Sequence, residues 1–122
     1  MIEAARDREC VERAAEYLFG LAAARSKRRR RQAFDVAVLL EEFGANGELE
    51  NPFQHRRLDG ELWEFKTKDL RLPYYELLDA EHGRIARVTH VFEKAKGKTA
   101  EGKTPRAHIR RGLAILEEDR KC

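Results

Sequence analysis

Between Leu58 and Arg111 turn-forming residues recur so often that only short strands and one closing helix fit between them. Asp59-Gly60 precedes the apolar run Leu62–Thr67, and Glu81-His82-Gly83 separates Tyr74–Asp79 from Ile85–Phe92. A parallel connection needs a dozen or more residues, so these strands are predicted to pair as an antiparallel meander. On the first strand Trp63, Phe65 and Thr67 face one way, and Leu62, Glu64 and Lys66 the other. Pro73 is expected at the start of the second strand or at an edge, because it cannot donate to a ladder. Thr104-Pro105 then opens a helix whose inner stripe is Ile109, Leu113 and Leu116. Lysines and arginines sit on the strands themselves, which suits a phosphate-bearing ligand.

Upstream the period changes. Val11, Ala14, Ala15, Leu18, Leu21 and Ala22 recur at helical spacing from about Asp7 to Ala24. Ser26 is a natural cap for a second helix, with Phe34, Val36, Ala37, Leu40 and Phe43 inward and Gly44 onward as its stop. Asn51-Pro52 bars further helix, so Pro52–Leu58 should be extended. The whole predicts an α+β fold over residues 1–122 as one domain. An N-terminal helix hairpin packs on a small antiparallel sheet, and a C-terminal helix closes it.

The excess of cations is small: 25 Lys and Arg against 22 Asp and Glu, a net charge of +3. Their placement says more. Arg25 and Lys27–Arg31 form one cluster, and Lys94, Lys96, Lys98, Lys103 and Arg106 another. Cys10 and Cys122 lie near opposite ends, a spacing that reads as two reduced thiols in a cytoplasmic protein rather than a disulfide framework or a metal pair. His55, His82 and His108 show no metal-ligand spacing. The longest apolar stretch, near Ala33–Leu40, contains Asp35 and is too short to span a membrane. Nothing resembles a signal peptide.

Gly97–Thr104 fits the phosphate-binding pattern G-x-x-x-x-G-K-T. Its context argues against a nucleotide-hydrolysing enzyme. The expected sheet is a meander, no later apolar strand ends in Asp to hold magnesium, and Pro105 removes a backbone donor next to the supposed phosphate site.

Leu62-Trp63-Glu64-Phe65-Lys66, then Val88–Lys94, then Lys103-Thr104-Pro105-Arg106 form a series that resembles the RelE/HigB superfamily of type II toxins. The likeness is to its phage-derived HigB-like branch, with strands such as L-W-E-L-R and L-L-H-G-F-x-K-K and a helix opening K-T-P. It runs from about Val11 to Arg120, and the order of elements carries it. The resemblance implies an endoribonuclease, or mRNA interferase, that inhibits translation by cutting mRNA, commonly on the ribosome. It implies neutralisation by a cognate antitoxin, often a helix-turn-helix protein. It implies chemistry without metal or other cofactor: the ribose 2′-OH attacks the adjacent phosphorus and leaves a cyclic phosphate. Such a reaction needs a base at the 2′-OH, cations around the phosphorane oxygens and a proton donor for the 5′-oxygen.

Carried over by position, the resemblance makes Lys66, His90 and Lys94 the catalytic candidates. Lys68, Arg71, Lys96, Lys98, Lys103 and Arg106 would hold the RNA backbone, and Tyr74 or Tyr75 would stack a base. Arg28, Arg29 and Arg30 would reach ribosomal RNA. Read without it, Lys66 is a solvent-facing strand lysine, His90 a hydrogen-bonded structural histidine, and the charge runs solvated surface. The chain also departs from the family pattern. Tyr75-Glu76 stands where relatives carry Tyr-Arg, Ala95 replaces a lysine, and the end around Asp119 has no tyrosine. These departures admit a second expectation, a catalytically degenerate domain of the same fold that binds RNA or protein.

Overall fold

The helix hairpin forms from Arg13–Ala22 (α1) and Lys27–Asn46 (α2). The computed structural model describes residues 1–94 and 103–122. Ser26 caps α2 as its sequence position demands, its hydroxyl accepting the Arg29 N–H. The helix runs through Gly44, the expected stop, and ends only at Gly47, whose φ of 73° supplies the left-handed residue. Its inward side is Gln32, Val36, Leu39 and Phe43; Phe34, expected inside, is 60% exposed. α1 begins later than its periodicity suggests, because Asp7 accepts the N–H groups of Glu9 and Val11 and holds Asp7–Val11 as a turn.

Among the described residues six strands form one sheet: Ile2–Ala4 (β1), His55–Asp59 (β2), Leu62–Lys66 (β3), Leu70–Asp79 (β4), Gly83–Val88 (β5) and Phe92–Glu93 (β6). Their order is β1-β5-β4-β3-β2, with β6 also paired to β4. β2 through β5 make the expected antiparallel meander, with Pro52–Gln54 a turn of 3-10 helix rather than extended chain. β1 corrects the rest of that expectation. It runs parallel to β5, Ile2 opposite Ala86, so the sheet is mixed. Three residues are too few to display an alternating pattern.

Pro73 sits in the middle of β4, not at its start, opposite Glu64 of β3. Its ring nitrogen has no hydrogen to offer the strand on the other side, and the ladder there is broken. β5 stops at Val88, opposite Tyr74, and pairing resumes with β6 at Arg71–Phe92. The stretch Thr89–Val91 therefore leaves the sheet, and the strand expected to run through Ile85–Phe92 is divided. Thr89 returns its N–H and its hydroxyl to the Pro73 carbonyl, at 2.8 and 3.2 Å. His90 is carried out of the ladder and buried.

α1 and α2 cover one face of the sheet over Phe65, Leu70, Leu72, Tyr74, Ala86 and Val88, with the Phe65 and Tyr74 rings stacked at 3.9 Å. The other face takes Arg106–Lys121 (α3), which begins after Thr104-Pro105 as predicted. Its inward stripe is Gly112, Ile115, Leu116 and Asp119; of the expected stripe Leu116 is buried, while Ile109 and Leu113 are half-buried. Gly112 sets the approach: a Cβ there would lie 2.8 Å from Leu62 Cδ2. Near the end of α3, buried Asp119 accepts the Arg6 N–H at 2.8 Å, the Tyr75 hydroxyl and the Arg87 guanidinium at 3.0 Å.

Cys10 and Cys122 form a disulfide with Cα atoms 5.9 Å apart, which replaces the expectation of two reduced thiols. A separation of 112 residues gave no hint of it. α3 lies back across the sheet, and its last residue meets the loop that follows β1.

Candidate functional site

Strand alternation puts Arg56, Glu64, Lys66 and Arg71 on the α3 face of β2, β3 and β4, where register makes Arg56 a neighbour of Glu64 and Lys66 a neighbour of Arg71. Glu64 is fully buried. A buried carboxylate needs partners, and two are supplied. Arg56 Nε donates to Oε2 at 3.1 Å, and Thr104 Oγ1 donates to Oε1 at 2.6 Å. Arg56 also donates to Thr104 at 3.1 Å. The Thr104 bond ties the start of α3 to the middle of β3.

Lys66 and Arg71 are half-buried beside this group and make no ion pair among the described residues. Arg71 donates instead to the carbonyls of Thr67 and Leu70, at 2.8 and 2.9 Å. Burial lowers the pKa of Lys66, and the charges of Arg56 and Arg71 lower it further, against an opposing pull from Glu64. Burial also lowers that of Arg71, and Arg56 adds to it while Glu64 opposes. Among the described residues three cations gather about Glu64, an arrangement that suits an anion.

One turn beyond Thr104, His108 enters from α3. Its ring stacks on Phe92 at 3.6 Å, nearly parallel, and its Nδ1 lies 3.2 Å from His90 Nε2. Burial lowers the His108 pKa, Arg111 lowers it further, and Glu64 opposes. His90 lies beneath it, 1% exposed, with Nδ1 2.9 Å from Thr89 Oγ1. Burial, reinforced by Arg111 and His108, pushes His90 down to about 3, so its imidazole is neutral at ordinary pH.

The expected residues are therefore partly assembled. Lys66 and Arg71 meet. His90 reaches them only through His108 and Glu64, and is enclosed instead of lining an open surface. Lys94 is exposed after β6, its N–H donated to the Asp69 carbonyl, and among the described residues it shares no hydrogen bond or ion pair with the cluster. Lys68 lines a groove with Phe34, Asp35 and Val38 on the α2 side. Lys103 and Arg106 are exposed at the approach to α3. Arg28, Arg29 and Arg30 are exposed at the start of α2; Arg28 lies 3.8 Å from Glu93, and Arg30 donates to the carbonyls of Ala24 and Arg25. Lys96, Lys98 and most of the glycine-rich phosphate-binding pattern lie outside the described residues.

Tyr75 and Tyr74 must be corrected. Both are 1% exposed, Tyr74 stacked on Phe65 and Tyr75 bonded to Asp119, so neither can stack a base. Burial raises both phenols well above their ordinary pKa, with Asp119 adding to the effect at Tyr75.

Arg56, Thr104 and His108 were not among the candidates. Arg56 shows a faint signal in hindsight, a cation on the expected extended segment before a turn. Thr104 and His108 stand four residues apart across a helix start, which places them one turn apart on a single side of α3.

Compared with protein-family models and with curated proteins, the chain matches none. No helix among the described residues is long and apolar enough to cross a membrane, and no three or more His, Cys, Asp or Glu side chains gather there in a group that could hold a metal ion.

Proposed function

We propose that the protein is a RelE/HigB-like toxin, a cytoplasmic endoribonuclease that cuts mRNA on the ribosome and is neutralised by a cognate antitoxin of helix-turn-helix type. The observation that carries this reading is the crowding of Arg56, Lys66 and Arg71 on adjacent strands around Glu64. A phosphodiester reaching this face of the sheet would meet Arg56, Lys66 and Arg71 together on adjacent strands. Charge builds on the non-bridging oxygens as a 2′-oxygen attacks phosphorus, and preorganised cations act where it builds. Arg71 and Arg56 would hold those oxygens. Lys66, whose ammonium gives up its proton more readily than an ordinary lysine, would protonate the departing 5′-oxygen.

The test is expression in bacteria, followed by assay of purified protein in a ribosome-containing extract. Growth should stop, mRNA should shorten, and Lys66→Ala should lower cleavage at least about 100-fold. Intact RNA with the wild-type protein would sink the catalytic reading.

A second reading has its own observation. His90 and Tyr75, two residues the resemblance would put to work on RNA, are sealed in the structure. A degenerate domain that binds RNA without cutting it would show affinity that falls steeply with salt and no product.

A further inference from the structure

We infer that His108 is the general base of this site, and that a buried relay through His90 and Thr89 fixes its free nitrogen as Nε2. The inference rests on the ribonuclease reading above and adds to it the group that takes the 2′-hydroxyl proton.

In the arrangement inferred, the single Thr89 hydroxyl hydrogen goes to the Pro73 carbonyl, 3.2 Å away. Its oxygen is then left to accept, and the group 2.9 Å away is His90 Nδ1. His90 therefore carries its proton on Nδ1 and presents an unprotonated Nε2. The atom 3.2 Å from that lone pair is His108 Nδ1, which must be the donor. With its proton on Nδ1, His108 holds a lone pair on Nε2, which has no hydrogen-bond partner among the described residues. In this assignment a main-chain carbonyl three groups away sets the tautomer; the reverse assignment, with Thr89 donating to His90 Nδ1, would put the His108 proton on Nε2.

His108 also lies near the cation cluster. It is the third residue of α3, four after Thr104, whose hydroxyl is bonded to Glu64 at 2.6 Å. Glu64 acts electrostatically on His108, Lys66 and Arg71 alike, so these groups share one neighbourhood. The charged and titratable groups facing His108 are Arg111 on its own helix, Glu64 from β3 and His90 from beyond β5. Burial and then Arg111 lower the pKa of the ring, while Glu64 lies ready to steady the imidazolium once it forms. His90, buried and neutral, goes on accepting from Nδ1 throughout.

In the step so assigned, the 2′-oxygen gives its proton to His108 Nε2 and bonds to phosphorus. The phosphorus–5′-oxygen bond breaks, and the 5′-oxygen leaves with the Lys66 proton. The products are a 2′,3′-cyclic phosphate and a 5′-hydroxyl. Water then returns a proton to Lys66 and removes one from His108. No oxidant, reductant or metal enters the balance.

Long-range proton–nitrogen NMR of the free protein should show His108 protonated on Nδ1, with a pKa below 6.5. His90→Gln should disturb that signature. With ribosomes programmed by a defined mRNA, His108→Gln should cut cleavage at least about 100-fold, while RNA affinity stays within about twofold. The acid limb of the wild-type pH–rate profile should rise through the pKa that NMR reports for His108. A neutral His108 protonated on Nε2, or a His108→Gln protein that cleaves as well as wild type, overturns the inference and leaves the ribonuclease reading standing. A wild-type protein that cleaves nothing overturns both.

Discussion

Two buried carboxylates lie between the sheet and α3 in similar dress, and they behave oppositely. At one end Asp119 gathers the Arg6 N–H, the Tyr75 hydroxyl and Arg87, while Arg87 is also met by Glu3 at 2.8 Å. Cations and acids balance there. Burial works against the charge of Arg87, but Asp119 and Glu3 outweigh it and raise its pKa. At the other end Glu64 faces Arg56, Lys66 and Arg71, and the pKa values of Lys66 and Arg71 go down. The same residue types make an adhesive where charge closes on itself and a receptor where it does not.

The comparison breaks first on stability. Asp119→Ala strands Tyr75 and Arg87 in a buried place and should cost about 4 kcal/mol in urea unfolding. Glu64→Ala should cost about half as much, because the Arg56 side chain is 31% exposed and can turn to water. Inorganic phosphate should restore part of the Glu64→Ala deficit and none of the Asp119→Ala deficit. Equal losses, unmoved by phosphate, would erase the distinction.

A smaller effect follows from the histidine pair. Unfolded His90 takes a proton near 6.5, folded His90 only near 3, so between those values the unfolded state binds more protons. Stability is then complete above about 6.5 and falls as pH drops. Going from pH 7 to 4 should cost wild type about 3 kcal/mol more than it costs His90→Gln. Parallel pH curves would show that the ring is not sealed.

The smallest concerns the seat of α3 between the two carboxylates. Gly112→Ala would press a methyl against Leu62 and should cost about 2 kcal/mol, read as a shifted urea midpoint. An unchanged midpoint would mean that the helix is free to lift.

Elements with a local cause were legible in the sequence. Ser26 caps, Asp59-Gly60 turns, Gly83 takes its positive φ and Thr104-Pro105 opens α3, each through chemistry carried by the residue itself. The alternation that sets Glu64 and Lys66 on one face was legible for the same reason. What escaped depended on distant partners. β1 is defined by β5, and the burial of His90 follows from a proline sixteen positions before Thr89 whose missing hydrogen splits a strand. His108 matters only because α3 returns over the sheet. Tyr75 passed for a base-stacking ring because its partner, Asp119, stands 44 residues on.

The Cys10–Cys122 bond has a mechanical consequence. It closes nearly the whole chain into a covalent ring, with β1 alone among the secondary elements left outside. Tension applied before Cys10 and beyond Cys122 runs through the sulfur bridge and bypasses every other strand and helix. While the bridge is intact, a machine drawing the chain in from one end must swallow it as a doubled loop or first open the ring.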